Sequence, residues 1–331
     1  MLLEVRHLTQ YRYADLVRES VMEVWMQPQK SAHQRLITFD LEVDPAAQVF
    51  SYPDSFGNAV HHFDVPQPHQ TLSITARTAV DTQPLGKLQE AVDPGEWDRL
   101  NSETLKGANF DFLHPHGYAR SSPALAAYVA EHEIDALRRR DPLSAIRDLS
   151  ERIFTSFEYE AGVTRADSPI DDVLTARKGV CQDFAHVMIT ICRSWGVPAR
   201  YVSGYLFTDR KRGDRSDPDA THAWVEVFLP SLRWIGFDPT NNTMAGERHI
   251  ICAVGRDYSD VPPSRGVFKG ESESHLAVGV TVRRARAVAA EPEFLRVSRP
   301  AGRMTGQRAG MGSSAAHEQQ QRLHQMQQQQ Q

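Results

Sequence analysis

The sequence predicts an α+β protein in which an N-terminal antiparallel β domain is followed by a domain of helices and an antiparallel sheet. Three observations support this fold class. Residues 36–43 and 72–80 alternate apolar and polar side chains, as half-buried strands do. Apolar residues between 143 and 195 recur at helical spacing. Residues 200–238 then return to short strand-like runs, and strands that flank a helical region are typical of this class.

The first 83 residues predict a sandwich or an open barrel of short strands. Residues 3–13 mix apolar and polar positions in the manner of a strand. Residues 54–58 contain Gly and Asn, which tolerate positive φ, and they form a turn between the strand-like residues 49–52 and 60–63. We therefore predict an N-terminal β domain over residues 1–83.

Helices follow an irregular segment. Residues 84–120 are rich in Pro, Gly, Asp and Asn, and we predict that they connect the two domains. Ser122 and Asp141 each precede a proline, so each is expected to cap a helix with that proline at its first position. A capping-box pattern at Ser168 predicts a third, short helix. A fourth helix over residues 181–195 carries an apolar stripe and is expected to be buried.

The rest of the chain completes the domain plan. Three strand-like runs between residues 200 and 238 fit one antiparallel sheet, and we predict that the second domain covers residues 121–270. A β-like C-terminal extension is predicted over residues 271–299. Residues 300–331 consist largely of Gly, Ser, Arg and Gln, and we expect them to be disordered.

Charge and patterning exclude several classes of partner. Lys and Arg total 37 against 42 Asp and Glu, for a formal net charge of -5, so no basic field attracts nucleic acid or an anionic membrane. No stretch approaches the roughly 18 apolar residues of a membrane span, and the first residues lack a signal-peptide core. We expect a cytoplasmic protein without nucleic-acid or membrane partners.

The three cysteines differ in their positions. They are too few and too scattered for a disulfide framework or a zinc ribbon. Cys181 opens an apolar helix, where unpaired N–H groups and the helix dipole favour the thiolate form. A small buried thiol is the commoner role of a lone cysteine. That role fits Cys192 and Cys252, which lie within apolar segments, so position alone separates Cys181 from them.

A base and its orienting group are available later in the chain. His222 begins one strand-like run, and Asp238 ends the next. If the two strands pair through the short connection at residues 230–233, both side chains lie at the edge away from that turn. A thiolate nucleophile needs such a pair within hydrogen-bond reach. Considered separately, His222 is typical of a solvated histidine at a strand end, and Asp238 is typical of an Asp-Pro turn.

Cys181, His222 and Asp238 lie in linked blocks of sequence, and Cys181 follows Gly179 closely. The four blocks are residues 179–186, 193–205, 221–227 and 234–241. Together they resemble the transglutaminase-like core superfamily, which has the same three residue types in the same order. The N-terminal β region, including Tyr52 to Asn58, is similar to the β domain that bacterial members carry.

The resemblance implies a papain-like core and a reaction. Cys181 would be the nucleophile, His222 the general base and acid, and Asp238 the group that orients the imidazole. Attack on a glutamine carboxamide or a peptide carbonyl would give a thioester, released by a primary amine or by water. The expected partners are a protein or peptide substrate and an amine acceptor. An inactive binding or scaffold protein is the alternative, and the three intact residues argue against it.

Further residues are candidates for supporting the site. Gln182 stands where animal transglutaminases have Trp, and no acidic loop has the spacing of a calcium site. The second oxyanion donor is unassigned, with Tyr159 and Gln182 as candidates. Asp183 and His186 lie one helical turn apart and fit either a supporting role or a polar helix face, while Trp224 shares the strand face of His222. We expect no metal site and no cofactor.

Overall fold

The computed structural model describes residues 1–86, 89–209, 211, 213–217 and 219–285. The predicted disordered tail, residues 300–331, lies outside the described residues. Within them, no helix combines the length and the apolarity that crossing a membrane requires.

The N-terminal region is built from six antiparallel strands. The hairpin predicted around residues 54–58 is present, because Asp54 Oδ1 accepts hydrogen bonds from the backbone N–H groups of Phe56 and Asn58, both at 2.9 Å. Apolar side chains from the strands meet in one core that includes Val24, Phe63 and Ile74. The strands are β1 Leu2–Val17, β2 Ser20–Val24, β3 Gln34–Asp44, β4 Phe50–Pro53, β5 Ala59–Val65 and β6 His69–Thr82.

Six α-helices follow within the described residues. The two predicted caps are confirmed, since Ser122 Oγ accepts from the N–H of Leu125 and Asp141 Oδ1 accepts from the N–H of Ser144, each at 3.1 Å. The helices are α1 Glu96–Leu100, α2 Glu103–Ala108, α3 Pro123–Glu131, α4 Pro142–Ser156, α5 Ile170–Ala176 and α6 Cys181–Ser194.

The cap predicted for the third helical signal is wrong. α5 begins after Pro169, which has no side-chain cap, and Ser168 lies one residue too early. The Ser168 hydroxyl instead accepts a hydrogen bond from the N–H of Arg165 at 3.0 Å, within the preceding turn. A serine before a proline can serve either the turn or the helix, and here the turn has the better geometry.

Five strands form an antiparallel sheet in the second half of the core: β9 Ala199–Leu206, β10 His222–Leu229, β11 Arg233–Asp238, β12 Thr243–Met244 and β13 His249–Gly255. Their order in the sheet is β12-β11-β10-β9-β13. Helix α6 packs against β10 and β9. Ala223, Val225 and Val227 belong to the same buried cluster as the apolar residues of α6, so the alternate residues of β10, among them Trp224, lie on the opposite face. A small parallel pair comprises β7 Glu158–Tyr159 and β8 Lys178–Gly179.

Two C-terminal strands return to the N-terminal region. Strand β14, Ser264–Phe268, pairs with β2, and β15, Ser274–Arg284, pairs with β1. The N-terminal region therefore consists of two four-stranded sheets, β15-β1-β6-β3 and β14-β2-β5-β4. Their shared apolar core makes the region a sandwich.

Arg193 fastens the C-terminal end of α6 to the rest of the core. Its guanidinium is buried, with 7% of the residue exposed, and burial lowers its pKa to about 10 although Asp257 opposes the shift. It donates hydrogen bonds of 2.6 to 3.2 Å to the backbone carbonyls of Phe112, His114, Ala199 and Arg256.

Replacing Arg193 with methionine should lower the free energy of unfolding by about 3 kcal/mol, because it leaves several buried carbonyl groups without donors. Urea denaturation measures this change. Arg35→Met is the matched control: the side chain of Arg35 is 73% exposed, and its loss should cost no more than about 0.5 kcal/mol. Equal stabilities for the two variants would contradict this role of Arg193.

Candidate active site

Cys181 is the first residue of α6, as predicted. The parallel pairing of β7 and β8 holds the backbone that leads into α6, because it places Tyr159 opposite Gly179 just before the helix begins. Asp183 Oδ2 then accepts a hydrogen bond from the N–H of Val180 at 2.8 Å, which caps the helix. Cys181 is half-buried, and its thiol interacts electrostatically with the imidazole of His222.

His222 and Asp238 meet as the strand pairing predicted. Nε2 of His222 donates to Oδ2 of Asp238 at 2.8 Å, and both side chains are buried. His222 begins β10, opposite Gly204 of β9, and Asp238 ends β11. The structure therefore brings His222 and Asp238 into direct contact, with Cys181 close enough to interact with the imidazole.

The Asp238 carboxylate is held by five hydrogen bonds. Oδ2 accepts from Nε2 of His222, from Nε2 of His249 at 3.2 Å and from Nδ2 of Asn241 at 2.7 Å. Oδ1 accepts from the backbone N–H groups of Thr240 at 3.0 Å and Asn241 at 3.3 Å. Burial opposes the charge of this group, but His222 and the other donors outweigh burial and hold the pKa of Asp238 far below its usual value. The carboxylate is thus charged and fixed in one orientation.

The carboxylate determines the charge of its neighbour. Burial disfavours a charged imidazole, yet the charge and the hydrogen bond of Asp238, together with Cys181, outweigh it and raise the pKa of His222 to about 10. The ring is therefore an imidazolium at neutral pH, and it lies beside the thiol of Cys181. Nε2 is bonded to Asp238, and Nδ1 faces Oγ of Ser216 at 3.3 Å, so any proton exchanged with the thiol has to pass through Nδ1.

Two histidines on one carboxylate should respond to pH in opposite ways. The stability that His222 contributes is complete below the unfolded pKa of about 6.5 and is lost as the pH rises through about 10. The difference in unfolding free energy between the parent protein and His222→Gln should therefore shrink between about pH 6 and pH 10. Urea denaturation at a series of pH values measures it.

His249 provides the control for that measurement. Burial lowers the pKa of His249, with Asp238 opposing part of the shift, so its ring is neutral in the folded state near pH 7. The stability that such a histidine contributes to the protein is lost only as the pH falls through about 6.5. The cost of His249→Gln should therefore stay constant between about pH 8 and pH 10. Parallel pH profiles for both variants would contradict the assigned charges.

Ser216 and Asn241 attach the preceding loop to this centre. Nδ2 of Asn241 also lies 2.8 Å from Oγ of Ser216, and Oδ1 of Asn241 accepts from the N–H groups of Arg215 and Ser216 at 2.8 and 3.3 Å. Oγ of Ser216 in turn lies 3.3 Å from Nδ1 of His222. One amide side chain thus joins the carboxylate to the loop that lies over the imidazole.

The supporting residues predicted from the sequence take different positions. Tyr159 lies near Cys181, and burial, followed by Cys181, raises the pKa of its hydroxyl to about 12. Gln182 donates instead to the carbonyl of Ala166 at 2.8 Å, which connects it to the loop before α5. Asp183 accepts from Val180 and from Oγ1 of Thr164 at 2.6 Å, so it caps the helix and holds that loop.

His186 lies inside the core. Burial lowers its pKa to about 4, with Asp257 opposing the shift. Its ring stacks on Tyr118 with 5.5 Å between ring centroids, and its Nε2 accepts from the N–H of Tyr258 at 3.3 Å. Its contacts are those of a packing residue, with no described contact to Cys181 or His222.

The indole of Trp224 packs against the imidazole of His222. The two rings stack at 5.9 Å between centroids with an angle of 26°. The indole also contacts His249 edge to face at 5.1 Å. It fits against β9 because position 204 is glycine: a Cβ there would lie 2.0 Å from the carbonyl oxygen of Ile250 and 2.9 Å from the indole.

The residues that sequence reasoning missed are Ser216, Asn241 and His249. Asn241 lies within the block at residues 234–241, three positions after Asp238, and an Asx turn after a strand is a recognisable signal. His249 reaches the site because β13 pairs with β9, and that register has no local signature. Ser216 lies in a polar loop without any pattern.

His222, Asp238 and His249 form a cluster of metal-binding residue types, with ligand atoms within 4.8 Å of one another. Both histidines are hydrogen bonded through Nε2 to one oxygen of Asp238.

The other two cysteines are core residues. Burial raises the pKa of the Cys192 thiol to about 12, although Arg193 opposes the shift. Cys252 is also buried, and burial raises its pKa still more strongly. Neither thiol resembles Cys181 in its surroundings.

Two family models match the chain. The model of the transglutaminase-like superfamily covers residues 134–239, which include Cys181, His222 and Asp238. The model of the bacterial transglutaminase-like N-terminal region covers residues 3–81, which form the sandwich strands β1 to β6. The resemblance noted in the sequence is thereby confirmed.

Individual proteins are also similar to this chain. An uncharacterized protein of Mycobacterium tuberculosis is 38% identical over 284 residues, which is 82% of this chain and 89% of the relative. A protein-glutamine gamma-glutamyltransferase of Pseudomonas aeruginosa is 34% identical over 94 residues, 26% of this chain and 13% of that one. The structure of a candidate cysteine protease from Cytophaga hutchinsonii superposes with a TM-score of 0.64 at 21% identity, over 86% of this chain and 98% of that one, which confirms the α+β fold.

Proposed function

Since this chain belongs to the transglutaminase-like superfamily, we propose that it is a cysteine-dependent acyl transferase. The observation that carries the proposal is the buried His222–Asp238 pair beside a cysteine at a helix N-terminus. An imidazolium that stays charged to about pH 10 can hold Cys181 as a thiolate, which is the nucleophilic form.

The proposed reaction begins at the carboxamide of a glutamine side chain in a protein or peptide. The thiolate of Cys181 attacks the carbonyl carbon, and the C–N bond breaks as His222 gives its proton to the leaving ammonia. A primary amine then loses a proton to His222 while it attacks the thioester. The products are an isopeptide bond and a regenerated thiolate, and water in place of the amine would give hydrolysis.

The negative charge of the tetrahedral intermediate needs donors. The backbone N–H of Cys181 is one candidate, because the first N–H groups of a helix lack partners within it. We propose Tyr159 as the second. Its hydroxyl accepts from the N–H of Asp217 at 3.4 Å, so its own hydrogen remains available to donate.

Tyr159→Phe should lower kcat roughly 100-fold with little change in KM, because the lost donor acts only on the intermediate. Steady-state kinetics with a glutamine peptide and an amine measure both constants. Gln182→Leu is the control: its amide contacts Ala166, so its kcat should change far less. A larger effect at Gln182 than at Tyr159 would reverse the assignment.

The name of the Pseudomonas aeruginosa relative supports transfer to an amine rather than to water. The test is mass spectrometry of a glutamine-containing peptide library after incubation with the protein and a primary amine. Amine incorporation would support transglutamination, whereas deamidation or backbone cleavage would indicate an amidase or a protease. If the parent protein forms no more of these products than Cys181→Ala, the inactive scaffold is the better description.

A further inference from the structure

A groove of about 600 Å³ lies beside the candidate active site, where α4 ends. The last turn of α4, strand β7 and the loop before β10 line it, and Tyr159 and Arg215 are among the lining residues. Tyr159 also lies near Cys181, and the residue after Arg215, Ser216, lies 3.3 Å from Nδ1 of His222. The groove therefore shares Tyr159 with the surroundings of the thiol and adjoins the loop over the imidazole.

One edge of the Arg215 guanidinium is free. Nη1 donates to the carbonyl oxygens of Phe154 and Phe157 at 2.8 and 3.3 Å, and Cζ lies 3.5 Å from the centroid of the Phe154 ring. These contacts fix the group at the C-terminal end of α4. Nε and Nη2 have no hydrogen-bond partner in the described part of the chain, and together they form an edge that can bind a carboxylate through two parallel bonds.

Arg215 differs from the other charged residues of the groove in having no counter-ion among the residues that the structure describes. Arg177 is paired with Glu131, and Glu158 is paired with Lys178 at 3.4 Å. Burial lowers the pKa of Arg215, because desolvation disfavours its charge. A partly desolvated charge of this kind is stabilised by an anionic partner.

The acidic residues nearest to Arg215 in the sequence have other partners. Asp214 forms an ion pair with Arg248, whose Nη2 donates to Oδ1 at 3.3 Å. Asp217 does not line the groove, and its Oδ1 accepts from the N–H of Asp219 at 2.9 Å. The loop therefore leaves the charge of Arg215 open to a carboxylate from another molecule.

We propose that Arg215 binds the side-chain carboxylate of an acidic residue close to the reactive glutamine, so that the substrates are acidic, glutamine-containing segments. This inference rests on the proposed acyl-transfer function. Arg215 is one step along the chain from Ser216, which contacts the imidazole. An extended peptide covers about 3.3 Å per residue, so an acidic residue within about three positions of the glutamine spans roughly 10 Å and reaches the groove. The groove has the size of a typical ligand pocket, roughly 300–1,000 Å³, and has room for side chains of a peptide.

The test uses glutamine peptides that differ at one position. Acetylated and amidated ends leave the side chain as the source of any carboxylate. Glu, Met or Arg is placed at each of the three positions before and after the glutamine, and kcat/KM is measured for amine incorporation. At one or more of these positions the parent protein should prefer Glu to Met roughly tenfold and should disfavour Arg, because a bidentate, charge-assisted pair forms with Glu alone.

The variants test whether Arg215 causes this preference. Arg215→Gln should bring the ratio of Glu to Met close to one, whereas Arg215→Lys should keep Glu preferred at a smaller ratio, because the charge stays and the planar fork is lost. A ratio between two peptides on one variant does not depend on the folded fraction, so loss of the contacts to α4 cannot imitate the result. Arg139→Gln is the matched control. Arg139 is also exposed, but it precedes the other end of α4, about 20 Å along the helix, so the parent ratio should persist.

Binding separates this inference from the acyl-transfer function. Calorimetric titration of Cys181→Ala with the same peptides measures affinity without turnover. If the parent protein forms no product, the proposed function fails, and a Glu preference in binding that disappears on adding Arg215→Gln still supports the role of Arg215. Turnover with equal kcat/KM for the Glu and Met peptides, or a Glu preference that survives Arg215→Gln, would overturn the inference and leave the acyl-transfer function standing. Without turnover, the lack of a Glu preference in binding would overturn both.

Discussion

Cys181→Ala should reduce acyl transfer by at least about 1,000-fold and remove the rapidly alkylated thiol, with little change in stability. The sulfur is the proposed nucleophile, and losing one member of a catalytic triad typically costs this much or more. Cys181 is half-buried at a helix N-terminus, so its replacement leaves no large cavity. Iodoacetamide labelling against pH and amine incorporation into a glutamine peptide measure the two effects.

Cys192→Ala is the matched control on the same helix. Burial keeps the pKa of this thiol near 12, so it should not be alkylated in the folded protein. Its removal should keep the activity and cost about 1 kcal/mol through a small cavity. Retained activity in Cys181→Ala, or lost activity in Cys192→Ala at a temperature where it is folded, would refute the nucleophile assignment.

Asp238→Asn should lower activity by about 10,000-fold, and His222→Ala should do at least as much. The asparagine can no longer stabilise an imidazolium, so the ring loses the charge that holds the thiolate. Alkylation of Cys181 should slow in both variants at neutral pH. The rate of iodoacetamide labelling measures this effect independently of any substrate.

His186→Gln separates this prediction from a general effect of losing a buried histidine. His186 is as deeply buried as His222, but its contacts are to Tyr118 and Tyr258. The variant should be less stable yet alkylate at the parent rate when folded. If labelling instead slows equally in His186→Gln and His222→Ala, the imidazole of His222 has no special role.

The predictable part of the site was the part with local signatures. A glycine and an apolar stripe placed Cys181 at a helix start, and a short connection between two strands placed His222 beside Asp238. His249 belongs to the same centre, but its position depends on the pairing of Ile250 with Tyr205 in a sheet whose order does not follow the chain. Local pattern does not determine which strands become neighbours across a fold.

The fold shows the same division. The helix caps at Ser122 and Asp141 were predicted correctly, because each side chain accepts a hydrogen bond from the backbone N–H three residues later. The pairing of β14 with β2 had no such signal, although β14 lies within the segment predicted as the catalytic core. At Ser168 a local signal was present but the prediction was wrong. The hydroxyl predicted to cap the helix accepts a hydrogen bond from the N–H of Arg165 in the preceding turn instead.

Pairing of β1 with β15 also has a consequence for biosynthesis. Leu3 lies opposite Arg284, so a ribosome must release nearly the whole described chain before the outer edge of the first strand finds its partner. Until then β1 presents unpaired backbone groups that other chains can capture. Because closing so long a loop is slow, we expect the sandwich to mature after translation, and nascent chains that stop before residue 274 to be prone to aggregation.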